Sequence, residues 1–200
     1  MRKLVLAAVL VLVASGAQAA LIDRGSGFIY DDVQDITWAQ DANINGVDTW
    51  ANQVAWAAGY SQTHTVYGTF DDWRLPTTLQ PDASCSVQSG GVSSGLDCTG
   101  SEMGHLFNVD GISSSSMGLF TNVQSEYYWS GSDLAMPLNG YAWFFIFEDG
   151  FQYYFNKNES FHALAVRDGD VGAVPEPSTA VLLGLGLSGL AAKGRRRNRS

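Results

Sequence analysis

Cys85 and Cys98 are the only cysteines, with twelve residues between them. That spacing fits neither a C-x-x-C redox pair nor a zinc knuckle, and no histidine stands at a matching distance. A disulfide is the expected chemistry. Closing so short a loop would stabilise the fold by about 3 kcal/mol in the chain-entropy picture. His64, His105 and His162 are scattered. His105 follows Glu102 by three positions, so the two could share a helix face. A satisfied helix pair is the preferred reading there, and any metal is left open. Between Lys3 and Lys193 only Arg24, Arg74, Lys157 and Arg167 stand against all twenty acids. Such an acidic body repels nucleic acid and anionic lipid and favours solubility. Arg74 and Arg167, each close to acids, read as forks holding carboxylates such as Asp72 or Asp168. No cofactor motif is present. Calcium is the open alternative, because Asp31-Asp32-Val33-Gln34-Asp35 and Asp168-Gly169-Asp170 offer closely spaced oxygens, though neither is an EF-hand loop. G-x-S-x-G, H-E-x-x-H and the phosphate-binding loop are all missing, so no catalytic residue is assigned and no enzyme is expected.

The elements must be organised around Tyr141 to Asn156, where nine of sixteen residues are aromatic. Asp149-Gly150 between two apolar runs predicts a β-hairpin with a two-residue turn. That turn would set Glu148 opposite Phe151, Ile146 opposite Tyr153 and Phe144 opposite Phe155. Phe144, Ile146, Phe151, Tyr153 and Phe155 then form an apolar face, expected in the core. The other face mixes rings with amides. On it, Trp143 and Tyr154 could stack on sugar rings while Gln152 and Asn156 bond hydroxyls. A covering layer over that face is the competing reading.

Upstream, residues 21–30 and 35–39 read as two short strands, with a bend at Gly25 and Gly27. Asp48 suits the N-cap of a helix over 49–58, with Trp50, Val54, Ala57 and Ala58 on one face. Ser101 suits the N-cap of a second short helix over 101–108. Between them lies a Ser/Gly-rich stretch, residues 81–100, which carries both cysteines and has little to order it besides their bond. Strands return at 127–130 and in the hairpin, with a last strand over 161–167. Two short helices and an antiparallel sheet ending in an aromatic hairpin make an α+β class.

The ends read as addresses. Residues 1–19 have two positive charges, an apolar run and Ala17-Gln18-Ala19, the pattern of a cleaved secretory signal. That leaves a body over 20–173. Residues 174–200 hold Val174-Pro175-Glu176-Pro177-Ser178, a glycine-interrupted apolar run and five basic residues. The run is short for a stable span, so transient membrane association is expected, with the arginines on the cytoplasmic side.

The tail resembles the PEP-CTERM sorting signal, with Pro175, Glu176 and Pro177 as its motif. The resemblance implies an exosortase-type processing enzyme as partner, and display at the surface or in the extracellular matrix of a Gram-negative bacterium. The body has Ile36-Thr37-Trp38, Asp41-Ala42-Asn43, Asp72-Trp73-Arg74-Leu75-Pro76, Gly104-His105-Leu106-Phe107-Asn108, Tyr128-Trp129-Ser130-Gly131 and Ala165-Val166-Arg167-Asp168-Gly169. In that order they resemble the Lcl C-terminal domain family. This implies a C-type-lectin-like fold, similar also to the formylglycine-generating enzyme, and adhesion or glycan binding. The cysteine-bearing insert departs from the family pattern. The expected function is non-catalytic binding of extracellular polysaccharide or adhesion. A structural or protein-binding module without sugar binding is the alternative, and an enzyme acting on the matrix a third reading.

Overall fold

The computed structural model describes residues 21–134 and 139–172. The signal segment, Pro175, Glu176, Pro177 and the apolar tail lie outside the described residues. Leu21–Gly25 (β1) and Phe28–Asp31 (β2) form a hairpin where a single bent strand was expected. Gly25, Ser26 and Gly27 all have positive φ and turn the chain back on itself. Ile36–Ala39 (β3) pairs with β2 on its far side. After Asp48–Thr49 (β4) comes the first helix, Trp50–Gly59 (α1). Its N-cap is Thr49, not Asp48, and no side chain caps it. Asp48 is instead drawn into a short ladder with Ser160–Phe161. Trp50, Val54 and Ala57 pack inward as the spacing predicts, but Ala58 faces out. Gln53 takes a fully buried place, where its amide donates to the Gly46 and Phe161 carbonyls and accepts from Asn45.

Gln62–His64 (β5) and Gly68–Phe70 (β6) make a small hairpin. Val87–Ser89 (β7) and Val92–Ser94 (β8) make another, inside the Ser/Gly-rich insert. Cys85 and Cys98 are bonded to each other. The insert is ordered by more than that bond. Buried Asp82 accepts from Ser84, its hydroxyl and backbone, and from the Gly100 backbone, while Ser93 donates to Gln88. Replacing both cysteines by alanine is expected to lower stability by about 3 kcal/mol. Urea unfolding of the oxidised protein and the double variant measures it. A difference under about 1 kcal/mol would mean that the polar network alone holds the insert.

Glu102–Asn108 (α2) follows, with Ser101 at its N-cap as expected. Tyr127–Asp133 (β9), Tyr141–Ile146 (β10) and Gln152–Asn156 (β11) form a three-stranded antiparallel sheet with β10 in the centre. The expected last strand is split. Ser160–Phe161 (β12) pairs with β4, and Val166–Asp168 (β13) pairs with β3. The chain between them, residues 162–165, is buried and joins the two main sheets. Trp129 donates to the His162 carbonyl, His162 to the Tyr127 carbonyl, and Ala39 to the Ala165 carbonyl. The main core lies between the sheet β1-β2-β3-β13 and the sheet β11-β10-β9, and contains Ile29, Trp38, Leu106, Tyr128, Phe145, Leu164 and Val166. The result is mostly antiparallel sheet with two short helices, an α+β arrangement.

Candidate functional site

The aromatic hairpin forms, but with another turn and another sidedness. Phe144 pairs with Tyr153 and Trp143 with Tyr154. Ile146 donates to the Phe151 carbonyl and Gly150 to that of Ile146, so residues 147–150 make a four-residue loop. Phe147 leaves the ladder because its ring is wanted inside, 5.1 Å from both Tyr128 and Phe145. The shift is by two residues, so each side chain keeps its predicted face. What changes is that the mixed face is the more deeply buried one. Trp143, Phe145, Phe147 and Gln152, all on the mixed face, are each 1% exposed. Helix α2 covers this side, with Phe107 centred 5.8 Å from Phe145. The insert covers the edge, where Gly95 and Gln152 exchange backbone hydrogen bonds and the Gln152 amide reaches the Cys85 sulfur.

Trp143 and Gln152 are therefore unable to meet a sugar. The amide that looked like a ligand group is a core amide held by the insert. Tyr154 and Asn156 are half-buried on the same side. The face expected in the core is buried at Phe144, which packs with Trp129 and Leu75, half-buried at Ile146 and Phe151, and open at its outer edge. Tyr153 is 38% exposed, Phe155 46% and, on the neighbouring strand, Tyr127 42%. With Phe144, Ile146, Phe151 and Phe161 they line a shallow cleft of about 340 Å³. Tyr127 stacks on Phe161 at 4.7 Å and meets Phe144 edge-on at 5.0 Å, so the cleft floor is preorganised. The Tyr153 ring stacks on Tyr154 at 4.3 Å and its hydroxyl donates to the Tyr154 oxygen. The contact with the Tyr153 side chain, followed by burial, raises the Tyr154 pKa.

The charged groups act as fasteners. Arg74 grips Glu102 with two bonds of 2.7 and 2.8 Å and also reaches Asp168. Arg167 holds Asp72 with bonds of 2.8 and 2.9 Å, and this contact outweighs burial to keep the Asp72 carboxyl below its usual pKa. Arg24 closes on Asp170. The fork reading of Arg74 and Arg167 thus agrees with the geometry. The acids of Asp168-Gly169-Asp170 face arginines, which speaks against calcium there. Glu102 turns to Arg74 and not to His105, so the expected helix pair does not form. His64 donates from Nε2 to the Arg24 carbonyl and accepts at Nδ1 from Val66 and Tyr67, a structural role. His162 Nδ1 lies 2.7 Å from Asn43 Oδ1, and burial lowers its pKa. Asp82 adjoins the two cysteine sulfurs, but sulfurs bonded to each other are not metal ligands. His105 instead meets Asp31 and Asp110, a grouping the sequence reading missed because 78 residues of chain lie between the two acids.

The fold and cleft together define a small disulfide-bearing α+β domain with an open aromatic face. The chain belongs to the Lcl C-terminal domain family, whose model matches residues 27–167. A PEP-CTERM protein-sorting motif matches residues 173–197. That motif marks the protein for export, sorting to the cell surface and processing by an exosortase. Among the described residues no helix is long and apolar enough to cross a membrane. No curated protein and no solved structure matches the chain.

Proposed function

We propose that this is a non-catalytic binding module, displayed on a Gram-negative cell surface or in its matrix, that holds extracellular polysaccharide on the open face of the β10–β11 hairpin. The observation that carries the reading is the trio Tyr127, Tyr153 and Phe155, three exposed rings around one preformed cleft. Exposed apolar side chains gathered in one patch mark an interaction surface, where scattered ones do not. Flat rings with phenol hydroxyls at their edge match the C–H faces and hydroxyls of a sugar chain. Export and sorting to the cell surface support this reading. The pairing of β13 with β3, which brings the two ends of the domain into one sheet, supports the C-type-lectin-like reading of the fold.

The test is binding of the purified protein to exopolysaccharide, followed by the Tyr153→Ala and Phe155→Ala double variant. Loss of two stacking rings should weaken binding at least tenfold with the far-UV spectrum unchanged, each ring contact contributing about 0.5–1.5 kcal/mol beyond its buried area. Unchanged affinity in the folded variant would remove the cleft from the reading. One observation favours the second reading, a protein-binding or structural module. Only the Tyr127 and Tyr153 side chains bring hydroxyls to a lining that is otherwise hydrocarbon. Under that reading polysaccharide does not bind, and the same double variant abolishes a protein contact instead.

A further inference from the structure

Helix α2 ends in a tight turn. Val109 and Asp110 both donate to the His105 carbonyl, Ile112 donates to that of Leu106, and Gly111 takes positive φ. This turn brings Asp110 back beside His105, with Asp110 Oδ2 3.9 Å from His105 Nε2. The end of β2 brings Asp31 to the same place, and one donor atom from each residue lies within 4.8 Å of the other two. The groups are far from water. Asp31 is fully buried, and the side chains of Asp110 and His105 are 2% and 15% exposed. His105 Nε2 and both carboxylate oxygens of Asp110 are buried and, among the described residues, have no hydrogen-bond partner. Three orphaned polar atoms at one point are costly unless something binds them.

A bare ion pair does not account for the arrangement. An imidazolium bonded to a carboxylate sits at about 2.7–2.9 Å, and here the gap is 3.9 Å with both Asp110 oxygens unmet. It is a gap that an ion with bonds near 2.0–2.2 Å would bridge after small shifts. Asp31 is already oriented for such a role. Its Oδ1 accepts from the Val33 and Gln34 backbones and its Oδ2 from the Gln34 amide, which leaves Oδ2 a lone pair for an ion.

We propose that Asp31, His105 and Asp110 form a binding site for one divalent first-row transition metal, with zinc as the best fit. Two carboxylates and a neutral imidazole supply a charge that balances the ion and a nitrogen that calcium does not favour. Three protein ligands leave a position for water. The bound ion ties the end of β2 to the C-terminal turn of α2. Without it the carboxylates crowd each other.

The experiment uses the full-length chain, stripped with a chelator and titrated with Zn²⁺ by calorimetry and thermal unfolding. Uptake of one equivalent with a rise in melting temperature is expected. Asp110→Asn and His105→Gln should each weaken uptake at least about tenfold, while Glu159→Gln, an exposed acid, leaves it unchanged. Proton NMR of the wild-type protein gives a readout that does not depend on a variant folding. Zn²⁺ should shift the ring resonances of His105 and spare those of His64 and His162. No uptake, uptake indifferent to Asp110→Asn, or shifts at the other two histidines would overturn the proposal.

Discussion

Gly104→Ala is expected to cost about 3 kcal/mol or more. A methyl group at Gly104 would fall onto the Cys98 carbonyl oxygen, and would also meet the Cys98 carbonyl carbon at 2.9 Å. In a helix alanine is ordinarily preferred over glycine by about 1 kcal/mol. The steric term is larger here because neither side can give way. Cys98 is fully buried and tied to Cys85, and α2 is held from its other side by Arg74 on Glu102. Overpacking against a fixed backbone costs 1–3 kcal/mol even when side chains can adjust, and about that much or more when they cannot. Gly59→Ala is the control, since nothing lies within 4 Å of the added carbon and the backbone there is ordinary. It should be neutral or slightly stabilising. Urea midpoints of both variants measure the contrast, and equal midpoints would show that α2 is not wedged against the insert.

The second large effect is expected at Arg74. Burial by itself would lower the Arg74 pKa, but hydrogen bonds and charge from Glu102 and Asp168 reverse that, so the guanidinium is firmly charged. Arg74→Met leaves the Glu102 carboxylate, 14% exposed, with the Thr77 backbone as its one remaining donor among the described residues. Breaking one side of a mostly buried pair costs roughly 3–5 kcal/mol, and partial exposure of Arg74 brings the expected loss to about 2–4 kcal/mol. Asp168, 80% exposed, belongs to the same cluster. Asp168→Asn should cost under about 1 kcal/mol. Adding Glu102→Gln to Arg74→Met should recover part of the loss, because the stranded charge goes with it. A double-mutant cycle by chemical denaturation checks all three. Arg74→Met no worse than Asp168→Asn would reduce Arg74 to a surface residue.

Both residues act on α2, the element that carries His105 and covers the mixed face of the hairpin. The candidate site and the candidate metal cluster thus share one support. Loosening α2 should expose Phe145 and Phe147 as well as separate His105 from Asp31.

The sequence by itself determined the local elements. Ring-rich alternation about Asp149-Gly150 made a hairpin, a pair of cysteines with no other partner made a disulfide, and the scarce arginines took nearby-sized carboxylates as clamps. These follow from short-range geometry and from charges that must be neutralised where they are buried. The motifs Asp72-Trp73-Arg74-Leu75-Pro76 and Ala165-Val166-Arg167-Asp168-Gly169 carried the family, and Arg74 and Val166 meet across a backbone bridge. Tertiary structure decided the rest. Both hairpin faces bear large rings, so apolar content could not choose between them. The choice fell to α2, which packs on Phe145, and to the insert, which gives the Gln152 amide a place, leaving Tyr153 and Phe155 open. The turn gained two residues because Phe147 is worth more in the core than in the ladder. The grouping of Asp31, His105 and Asp110 has no trace in spacing, because a strand end and a helix turn far apart in the chain meet only once the two sheets have closed.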